Sequence, residues 1–502
     1  MLHYPGRRDG GDERTRTAVR GFADLCLTTR PRRQPIEFRG ITIQTQVQYP
    51  RLEEALDQAV LNGLLRFDED KSLMHVPFSL SPCPILKEDL HLMQNLTEPF
   101  SEMMLRVSRD REFLRQILEP LAVSDPFLEM LLGMSVPEQT QNLQMLVQRN
   151  DFFLNGLSHS GENLRQVELN TIAASFPYLI ERLMQIQRMH FGGDPVLQQS
   201  LVANAPLEMI VDGMAEAIQC YGKSESYMLT VNQPGEANRF DQLGIEQLLW
   251  EKHGIQCMRK TLEEIGQKAF LRQGHLVLEN NIVALVYYRA GYTPDDFINP
   301  DSRKGRELIE NSSAIQTPDL WMQLAGMKKI QQTLTRPEIL SRYAPAVWKE
   351  RMASTFVRMH ALEDEIKDFG ECKTALEQAL ADPESWVLKP QREGGGNNFF
   401  GREIEDLLKK MNATQYSSYI LMERIQAPAH PAWLIARGQS EHTECVSEIG
   451  RYGVLIANQG KILRNQDCGY LVRTKSADVN EGGVCAGYSC LNTLILDDED
   501  PS

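Results

Sequence analysis

The 502-residue chain lacks the features that mark several large classes of protein. It has no apolar run near the roughly 18 residues that a membrane-spanning helix requires, so we expect no membrane insertion. Its nine cysteines include no CxxC pair and are odd in number, which favours free thiols. It also lacks basic excess: the formal net charge is -15, which argues against general nucleic-acid binding.

Two kinds of catalytic signature are missing as well. No grouping of Ser, His and Asp, or of Cys and His, indicates a nucleophilic mechanism. Neither a Walker A loop nor a GxGxxG fingerprint is present. The composition is that of an ordinary globular protein, with 42% hydrophobic and 24% charged residues. A chain of this length can bury a large core, and its length alone indicates about three domains.

The first 40 residues differ from the rest of the chain. They hold nine arginines and no lysine, which is typical of an organelle transit peptide. The acidic residues Asp9, Asp12, Glu13 and Asp24 are uncommon in such leaders. We therefore expect residues 1–45 to be a disordered extension of a cytoplasmic protein or the result of a misassigned start, with organelle targeting left open.

Hydrophobic periodicity divides the remaining chain into helical and mixed parts. Apolar residues at i, i+3 and i+4 spacing predict an amphipathic helix over 51–66, and helical spacing continues over 88–150. The alternating segment 165–170 predicts a strand. From residue 225 strands and helices alternate for roughly 100 residues, which favours a separate α/β domain. A helical stretch at 318–380 is followed by strands, including a hairpin around the NQG turn that precedes KILRN.

A glycine-rich stretch, LKPQREGGGNNFFG, combines bare backbone with charge. Gly394, Gly395 and Gly396 let the backbone approach a ligand closely, and successive N–H groups suit phosphate oxygens. Lys389 ends a predicted strand, from which it could reach a phosphate. Glu393 beside phosphate would require a cation such as Mg²⁺ between them. The alternative interpretation is a flexible surface loop.

A second candidate site lies in VELNTIAASF, residues 167–176. On a strand, Glu168 and Asn170 share one face, and their oxygens suit a hard cation. An ordinary strand with a solvated face is the alternative. Arg149, Arg289, Arg473 and Lys475 also fall at the ends of predicted strands. Together with the glycine-rich stretch and a second glycine loop, NEGGVCAG at 480–487, these cations favour an anionic substrate and ATP.

Seven motifs, taken in order, resemble the eukaryotic glutathione synthetase family: VELNTIAASF, YYRAGY, QLAGMKK, LKPQREGGGNN, LMERI, LVRTK and GGVCAG. The resemblance implies an α/β (α+β) ATP-grasp fold with a helical N-terminal part, an inserted α/β domain and a glycine-rich lid. It implies a catalytic body over 46–224 and 327–502, and a substrate-binding domain over 225–326. It further implies a homodimer that joins γ-glutamylcysteine to glycine, using ATP and Mg²⁺ and an acylphosphate intermediate.

The resemblance also assigns roles to residues. Metal ligands are Glu168, Asn170 and Glu393, and catalytic arginines are Arg149 and Arg473. ATP contacts are Glu168, Lys328, Lys389, Glu393, Gly394, Gly395, Gly396, Asn397, Asn398, Phe400, Met422, Glu423, Arg424, Ile425, Glu448, Lys475 and Glu481. Peptide contacts are Arg149, Ile172, Ala173, Ala174, Ser175, Glu236, Asn238, Gln242, Arg289, Tyr292, Arg473, Val484 and Cys485.

The chain departs from the family pattern at three of its positions. Ala173 stands where many relatives have serine, Ala290 where animal members have an acid, and Cys485 where alanine is usual. Because members with another acceptor differ near Cys485, a ligase for β-alanine or serine is an alternative to one for glycine. A catalytically silent ATP-binding scaffold is the alternative from another class.

Overall fold

The structure, a computed structural model, describes most of the chain from Leu52 to Asp497. The described residues are 52–68, 70–134, 142–156, 163–362, 371–391, 397–485 and 487–497. The leader that we expect to be disordered, residues 1–45, lies outside them, as do Glu393, Gly394, Gly395 and Gly396. The division into a catalytic body and an inserted domain stays a prediction.

The strands, in chain order, are β1 (Leu65–Phe67), β2 (Leu73–His75), β3 (Phe78–Ser79), β4 (Cys83–Ile85), β5 (Leu143–Leu154), β6 (Leu164–Asn170), β7 (Tyr227–Val231), β8 (Cys257–Lys260), β9 (Phe270–Arg272), β10 (His275–Leu278), β11 (Asn281–Tyr288), β12 (Ile315–Thr317), β13 (Met359–Ala361), β14 (Trp386–Pro390), β15 (Phe399–Phe400), β16 (Tyr419–Glu423), β17 (His430–Ala436), β18 (Gln439–Asn458), β19 (Lys461–Ser476), β20 (Cys490–Asn492) and β21 (Leu494–Leu496).

The α-helices, in chain order, are α1 (Leu52–Leu61), α2 (Lys87–Arg109), α3 (Arg111–Ala122), α4 (Pro126–Met134), α5 (Pro177–His190), α6 (Pro195–Ser200), α7 (Pro206–Tyr221), α8 (Arg239–His253), α9 (Leu262–Lys268), α10 (Pro300–Glu310), α11 (Leu320–Ala325), α12 (Lys328–Leu334), α13 (Pro337–Tyr343), α14 (Lys349–Thr355), α15 (Glu371–Ala381), α16 (Arg402–Lys410) and α17 (Ala413–Tyr416). Short 3₁₀ turns occur at Pro294–Phe297 and Pro383–Ser385.

A seven-stranded sheet in the order β17-β3-β20-β19-β18-β5-β6 forms the centre of the fold. Helices α2, α3 and α4 pack on one face of it, and α1, α5 and α7 pack on the other. Its longest strands, β18 and β19, form an antiparallel hairpin, as predicted from the sequence. Gln459 and Gly460 adopt positive φ at the turn of this hairpin.

Two further sheets are formed by the part of the chain between β6 and β17. Strands β8-β7-β11-β10-β9, with β12 beside β11, form a mixed sheet from the segment that we predict to be a separate α/β domain. Strands β13-β16-β14-β15 form an antiparallel sheet that includes the predicted strand before the glycine-rich stretch. Helix α8 ends at Gly254, whose φ of 68° supplies the left-handed cap that the sequence predicts.

Three of the sequence-based assignments are wrong in part. The helix predicted over 51–66 ends at Leu61, because Gly63 has a φ of 72° and the chain then enters β1. The end of the predicted helical stretch 88–150 is strand β5. This strand is buried on both faces, so its apolar residues show no alternation that would mark it as a strand. The short strand β13 also interrupts the helical stretch 318–380.

Other expectations are confirmed within the described part of the chain. The segments 165–170, 227–231 and 386–390 are strands. The seven cysteines whose side chains are described are free thiols. No described helix is long and apolar enough to cross a membrane.

Helices α9 and α10 cross at two glycines. A Cβ on Gly266 would lie 1.9 Å from the Asp301 carbonyl oxygen, and one on Gly305 would lie 2.0 Å from the Leu262 carbonyl oxygen. We expect Gly266→Ala to lower the free energy of unfolding by about 2–3 kcal/mol, because backbone atoms cannot move aside. Denaturant unfolding measures this loss. Gly133→Ala is the control, since nothing lies within 4 Å of its added methyl group; equal stability of the two variants would contradict the prediction.

Asp89 in α2 is a buried carboxylate whose Oδ1 has no hydrogen-bond partner. Burial, with Glu88 nearby, raises its pKa to about 6. The unfolded chain ionises this group at lower pH, so the folded state carries a costly buried charge above pH 6. We expect Asp89→Asn to raise the free energy of unfolding above pH 6 by on the order of 2–3 kcal/mol, and the gain to shrink as the pH falls below 6.

Urea unfolding at several pH values tests this pH dependence. Glu112→Gln, at an exposed position in the first turn of α3, is the control and should leave stability nearly unchanged. A gain for Asp89→Asn that is the same at pH 5 and pH 8 would show that removal of a buried charge is not its cause.

Candidate active site

Four neighbouring strands of the central sheet present charged residues on one face. Arg149 on β5 stands opposite Asn170 on β6, and Asp151 stands opposite Glu168. On the other side of β5, Glu448 on β18 pairs in register with Arg473 on β19. Sheet pairing therefore collects catalytic and metal-ligand candidates that are up to 324 positions apart, counted from 149 to 473.

Asp151 is the centre of this group and is fully buried. Its carboxylate accepts two hydrogen bonds from Arg149, Nε to Oδ1 at 2.6 Å and Nη2 to Oδ2 at 2.7 Å. Arg473 Nη2 and Asn170 Nδ2 each donate to Oδ2 at 2.9 Å. Arg473 also bonds Glu448 Oε1. One carboxylate thus orients both candidate catalytic arginines and one candidate metal ligand.

Gly450 on β18 makes room for this group. A Cβ at this position would lie 2.4 Å from Asp151 Oδ1 and 2.8 Å from Arg149 Cδ. Only a residue without a side chain lets the arginine and aspartate lie flat against the neighbouring strand. Gly450, the first glycine in SEIGRYG, is therefore required for this arrangement of Arg149 and Asp151.

Two buried lysines face Glu168 from other parts of the chain. Lys328, at the start of α12, places Nζ 3.6 Å from Glu168 Oε2. Lys389 on β14 donates from Nζ to the Val167 carbonyl oxygen at 3.3 Å. Burial opposes ionisation of Glu168, but Lys328, Lys389 and Arg473 outweigh it and lower its pKa to about 2. Burial lowers the pKa of Lys389. Such a surplus of cations suits a polyanionic ligand.

Close packing determines where Lys328 lies. A Cβ on Gly326 would lie 2.2 Å from Thr171 Oγ1, so the turn before α12 approaches the end of β6 closely. The Gln331 side chain bonds both backbone groups of Leu169, accepting from N at 2.8 Å and donating to O at 3.1 Å. The QLAGMKK motif is thereby fastened beside Glu168 and Asn170.

The residues assigned to the nucleotide line an adjoining region. Met422 is buried in β16, and Glu423 forms an ion pair with Arg358 at 3.0 Å. Arg424 lies 5.7 Å from the centre of the Phe400 ring and donates to Asn480 Oδ1 at 2.8 Å. Ile425 follows directly in the chain and is half-buried.

Lys475 and Glu481 connect this region to the charged face of the sheet. Lys475 Nζ donates to the Glu481 carbonyl oxygen at 3.0 Å, and Asn398 N donates to Glu481 Oε1 at 2.9 Å. Burial lowers the pKa of Lys475 to about 8, although Glu448 and Glu481 oppose the shift. Asn397 precedes Asn398 and is exposed. Burial raises the pKa of Glu448, against the opposing charge of Arg473.

The donor set fits a hard divalent cation only in part within the described residues. No group of three or more His, Cys, Asp or Glu side chains in the described stretches could hold a metal by itself. Glu168 and Asn170 lie on one face of β6, as predicted. Asn170 donates from its amide nitrogen to Asp151 and to the Arg149 carbonyl oxygen, so its amide oxygen is the atom that could serve as a metal ligand. Oxygen donors of this kind suit Mg²⁺.

A second cleft contains the residues assigned to the peptide. Arg289 is buried after β11, donates to Ser175 Oγ at 2.5 Å and lies 3.5 Å from Asp241. Its Nε is buried without a hydrogen-bond partner. Ser175 also bonds the Ala173 carbonyl oxygen at 2.9 Å, and Ala173 has a φ of 53°. Ile172 and Ala174 pack their side chains into hydrophobic clusters, so their backbone groups are what they offer to a ligand.

Glu236 forms the acidic side of this cleft. Its carboxylate accepts from Gln242 Nε2 at 2.8 Å and from Asn238 N at 2.8 Å. Asn238 Nδ2 is buried without a partner. A ligand could satisfy this donor together with the Nε of Arg289, since unsatisfied buried donors are costly.

Tyr292, Val484 and Cys485 complete the same cleft. Burial raises the pKa of Tyr292 to about 12, and Glu236 and Cys485 are among the groups that add to the shift. The Cys485 side chain is exposed to solvent, yet the surrounding protein raises its pKa to about 11. A thiol with that pKa is a poor nucleophile, which favours a packing role for Cys485 over a redox role. Val484 is buried.

Comparison with known proteins agrees with this geometry. A family model described as "Eukaryotic glutathione synthase, ATP binding domain" matches residues 48–496. Glutathione synthetase of Dictyostelium discoideum is 34% identical over 473 residues, 89% of this chain and 98% of that protein. The chain belongs to the eukaryotic glutathione synthase family.

Other members of the glutathione synthase family are similar to the same extent. The chloroplastic glutathione synthetase of Solanum lycopersicum is 34% identical over 88% of this chain and 83% of that protein. The human glutathione synthetase is 31% identical over 90% of this chain and 98% of that protein. As a member of this family, the protein is an ATP-dependent peptide ligase of glutathione synthesis.

A solved structure shares the fold. The apoform of a glutathione synthetase-like effector, GSS30 from Globodera pallida, superposes with a TM-score of 0.71 at 20% identity. The match covers 90% of this chain and 97% of that one. The mixed α/β, ATP-grasp type of fold expected from the sequence is thus confirmed.

Sequence reasoning did not single out several residues of this glutathione synthase site. Asp151 lies two positions after Arg149, and this strand spacing on one face was the available signal. Asp241 lies between Asn238 and Gln242 in the sequence and is fully buried. It accepts hydrogen bonds from the backbone N of Phe176 at 2.8 Å and of Tyr178 at 3.1 Å. Arg66, which donates to the carbonyl oxygens of Val484 and Cys485, is far from them in sequence, and no local pattern marked it.

We expect Asp151→Asn to lower turnover by about 100-fold or more, because Arg149 and Arg473 lose the ionised group that aligns them. Affinity for ATP should change little. Steady-state kinetics of ADP release, with nucleotide binding measured by calorimetry, tests both expectations.

Asp467→Asn is the matched control. Asp467 forms an ion pair with the buried Arg451, but on the face of the sheet that packs against α2, and its side chain is 21% exposed against 1% for Asp151. Both variants should lose stability, and only Asp151→Asn should lose turnover beyond the loss of folded protein. Equal losses of turnover in the two variants would show that Asp151 has only a structural role.

Proposed function

We propose that the protein joins the cysteinyl carboxylate of γ-glutamylcysteine to the amine of glycine, forming glutathione, ADP and phosphate. The observation that carries the proposal is the juxtaposition of two buried lysines around Glu168 with the Arg149–Asp151–Arg473 group. The lysines suit a polyphosphate, and the two arginines suit a carboxylate that changes its charge during the reaction.

The chemistry proceeds in two steps. The γ-phosphoryl group of ATP is transferred to the cysteinyl carboxylate, which gives an acylphosphate and ADP. The glycine nitrogen then attacks the acyl carbon, the bond to the phosphate oxygen breaks, and the amine loses a proton. No nucleophilic side chain is required, which agrees with the absence of such a grouping from the sequence.

We assign Lys328 and Lys389 to the phosphates of ATP, and Arg149 and Arg473 to the reacting carboxylate. Both arginines are held by Asp151 before the substrate arrives, so little reorganisation is needed during the reaction. Arg149, Lys328 and Lys389 are buried, and a site with little water would protect the acylphosphate from hydrolysis. Glu168 and Asn170, with Glu393 outside the described residues, would hold Mg²⁺, which neutralises phosphate charge when bound.

We assign the γ-glutamyl end of the dipeptide to the cleft around Arg289 and Glu236. That end carries an ammonium and a carboxylate on one carbon atom. Glu236 suits the ammonium, and Arg289 suits the carboxylate through its buried Nε. Asn238 offers a further donor from Nδ2, and Ser175 lies 2.5 Å from Arg289.

Two further properties follow from the family. We infer a homodimer in the cytoplasm, with organelle targeting left open because the relative from Solanum lycopersicum is named chloroplastic.

The acceptor is glycine in this proposal. Cys485, where alanine is usual, keeps β-alanine and serine as competing acceptors.

Purified protein with ATP, Mg²⁺ and γ-glutamylcysteine should release ADP when glycine is added. We expect kcat/KM for glycine to exceed that for β-alanine or serine by at least about 10-fold, since one methylene in a pocket is worth 10–200-fold. Mass spectrometry identifies the peptide product. Faster use of β-alanine or serine would overturn the choice of glycine, and nucleotide binding without any product would indicate a silent scaffold.

A further inference from the structure

The loop Asn480–Cys485, here called the product loop, is held at both ends by cations. At its start Lys475 Nζ donates to the carbonyl oxygens of Asn480 and, at 3.0 Å, of Glu481. At its end Arg66 Nη1 donates to the carbonyl oxygens of Cys485 at 2.9 Å and of Val484 at 3.4 Å. Four backbone carbonyls of one short loop are thus bound by two side chains, Lys475 from β19, which precedes the loop in the chain, and Arg66 from the distant strand β1.

The start of the product loop belongs to the nucleotide side of the site. Arg424 bonds the Asn480 side chain at 2.8 Å, and Asn398 N bonds Glu481 at 2.9 Å. A Cβ on Gly482 would lie 4.0 Å from Glu448 Oε2, so the loop passes directly over the charged face of the sheet. Residues assigned to ATP therefore hold this half.

The end of the product loop belongs to the peptide side, and Arg66 is what holds it there. Arg66 lies on β1, a three-residue strand of the β1–β2 hairpin. The next residue, Phe67, donates from N to the Ala237 carbonyl oxygen at 3.1 Å, and its ring centre lies 5.4 Å from that of Phe240. The hairpin thus contacts the product loop and the segment that carries Glu236 and Asn238.

We propose that Arg66 is a positioning residue that sets the distance between the product loop and the dipeptide cleft, and that it thereby determines which acceptor amine is used. The inference rests on the proposed function, since it concerns the acceptor of that ligase. Arg66 is half-buried, with 13% of its side chain exposed, and its Nη2 also lies 3.8 Å from Asp68 Oδ1.

Acceptor size explains why this distance matters. Glycine carries no side chain, β-alanine is longer by one methylene, and serine adds a hydroxymethyl group. A loop end held at fixed distance accepts the smallest amine and excludes the others by contact. Without the Arg66 guanidinium, the backbone at Val484 and Cys485 can move outward far enough to admit an added methylene.

Kinetics of Arg66→Met tests the proposal, because methionine keeps the apolar stem and removes every donor. We expect KM for glycine to rise about 10-fold, as for loss of a charged hydrogen bond. The preference for glycine over β-alanine should fall about 10-fold. KM for ATP should stay within about two-fold, because Lys475 and Arg424 still hold the start of the loop. Arg66→Lys, which retains one charged donor, should recover part of both effects.

Arg106→Met is the matched control. Arg106 also donates from Nη1 to two successive carbonyl oxygens, those of Tyr343 at 3.3 Å and Ala344 at 3.4 Å, but between α2 and α13. It should leave acceptor preference unchanged. If Arg66→Met does not fold, Arg66→Lys is compared with wild type instead. The preference of Arg66→Lys for glycine over β-alanine should then be at most half that of wild type.

Two outcomes separate this inference from the proposed function. An unchanged KM for glycine and an unchanged acceptor preference in the Arg66 variants, with an active wild type, would overturn the role of Arg66 alone. Absence of product from wild-type protein with all three amines would instead overturn the proposed function.

Discussion

The site depends on one fully buried carboxylate. Asp151 takes hydrogen bonds from Arg149, Arg473 and Asn170, so an anion without access to water organises two cations and an amide. Charges buried in this way are tolerated only when they are paired and hydrogen-bonded, and removing one partner leaves the rest exposed to the desolvation cost. The arrangement also requires Gly450 on the neighbouring strand, because any side chain there would collide with the pair.

The two lysines near this carboxylate are also buried before any ligand binds. Lys328 and Lys389 are both buried beside Glu168, and burial lowers the pKa of Lys389 although Glu168, Glu448 and Asp151 oppose the shift. An arriving polyphosphate would supply the anionic charge that favours their charged forms. The energy needed to bury these cations is therefore recovered when the nucleotide binds, which links the stability of this region to occupation of the site.

Much of the fold and of the site could be predicted from the sequence, but for different reasons in different places. Strands such as Leu164–Asn170 and Trp386–Pro390 were predictable because a short polar-bounded pattern marks them. Strand β5 was assigned to a helical stretch because burial on both faces removes alternation. Asp151 lies on that strand, so missing the strand also concealed the spacing that puts it beside Arg149.

The sequence by itself determined the family, the types of the candidate ligands and their local geometry, since Glu168 and Asn170 share a face of any strand. Only the tertiary structure decided which side chains meet. Register between β5, β18 and β19 brings Asp151 to Arg473, and a distant hairpin brings Arg66 to the carbonyl groups of Val484 and Cys485. Periodicity along a chain reports which face a residue occupies. It does not report which distant strand will be its neighbour, because sheet pairing depends on contacts formed across the whole fold.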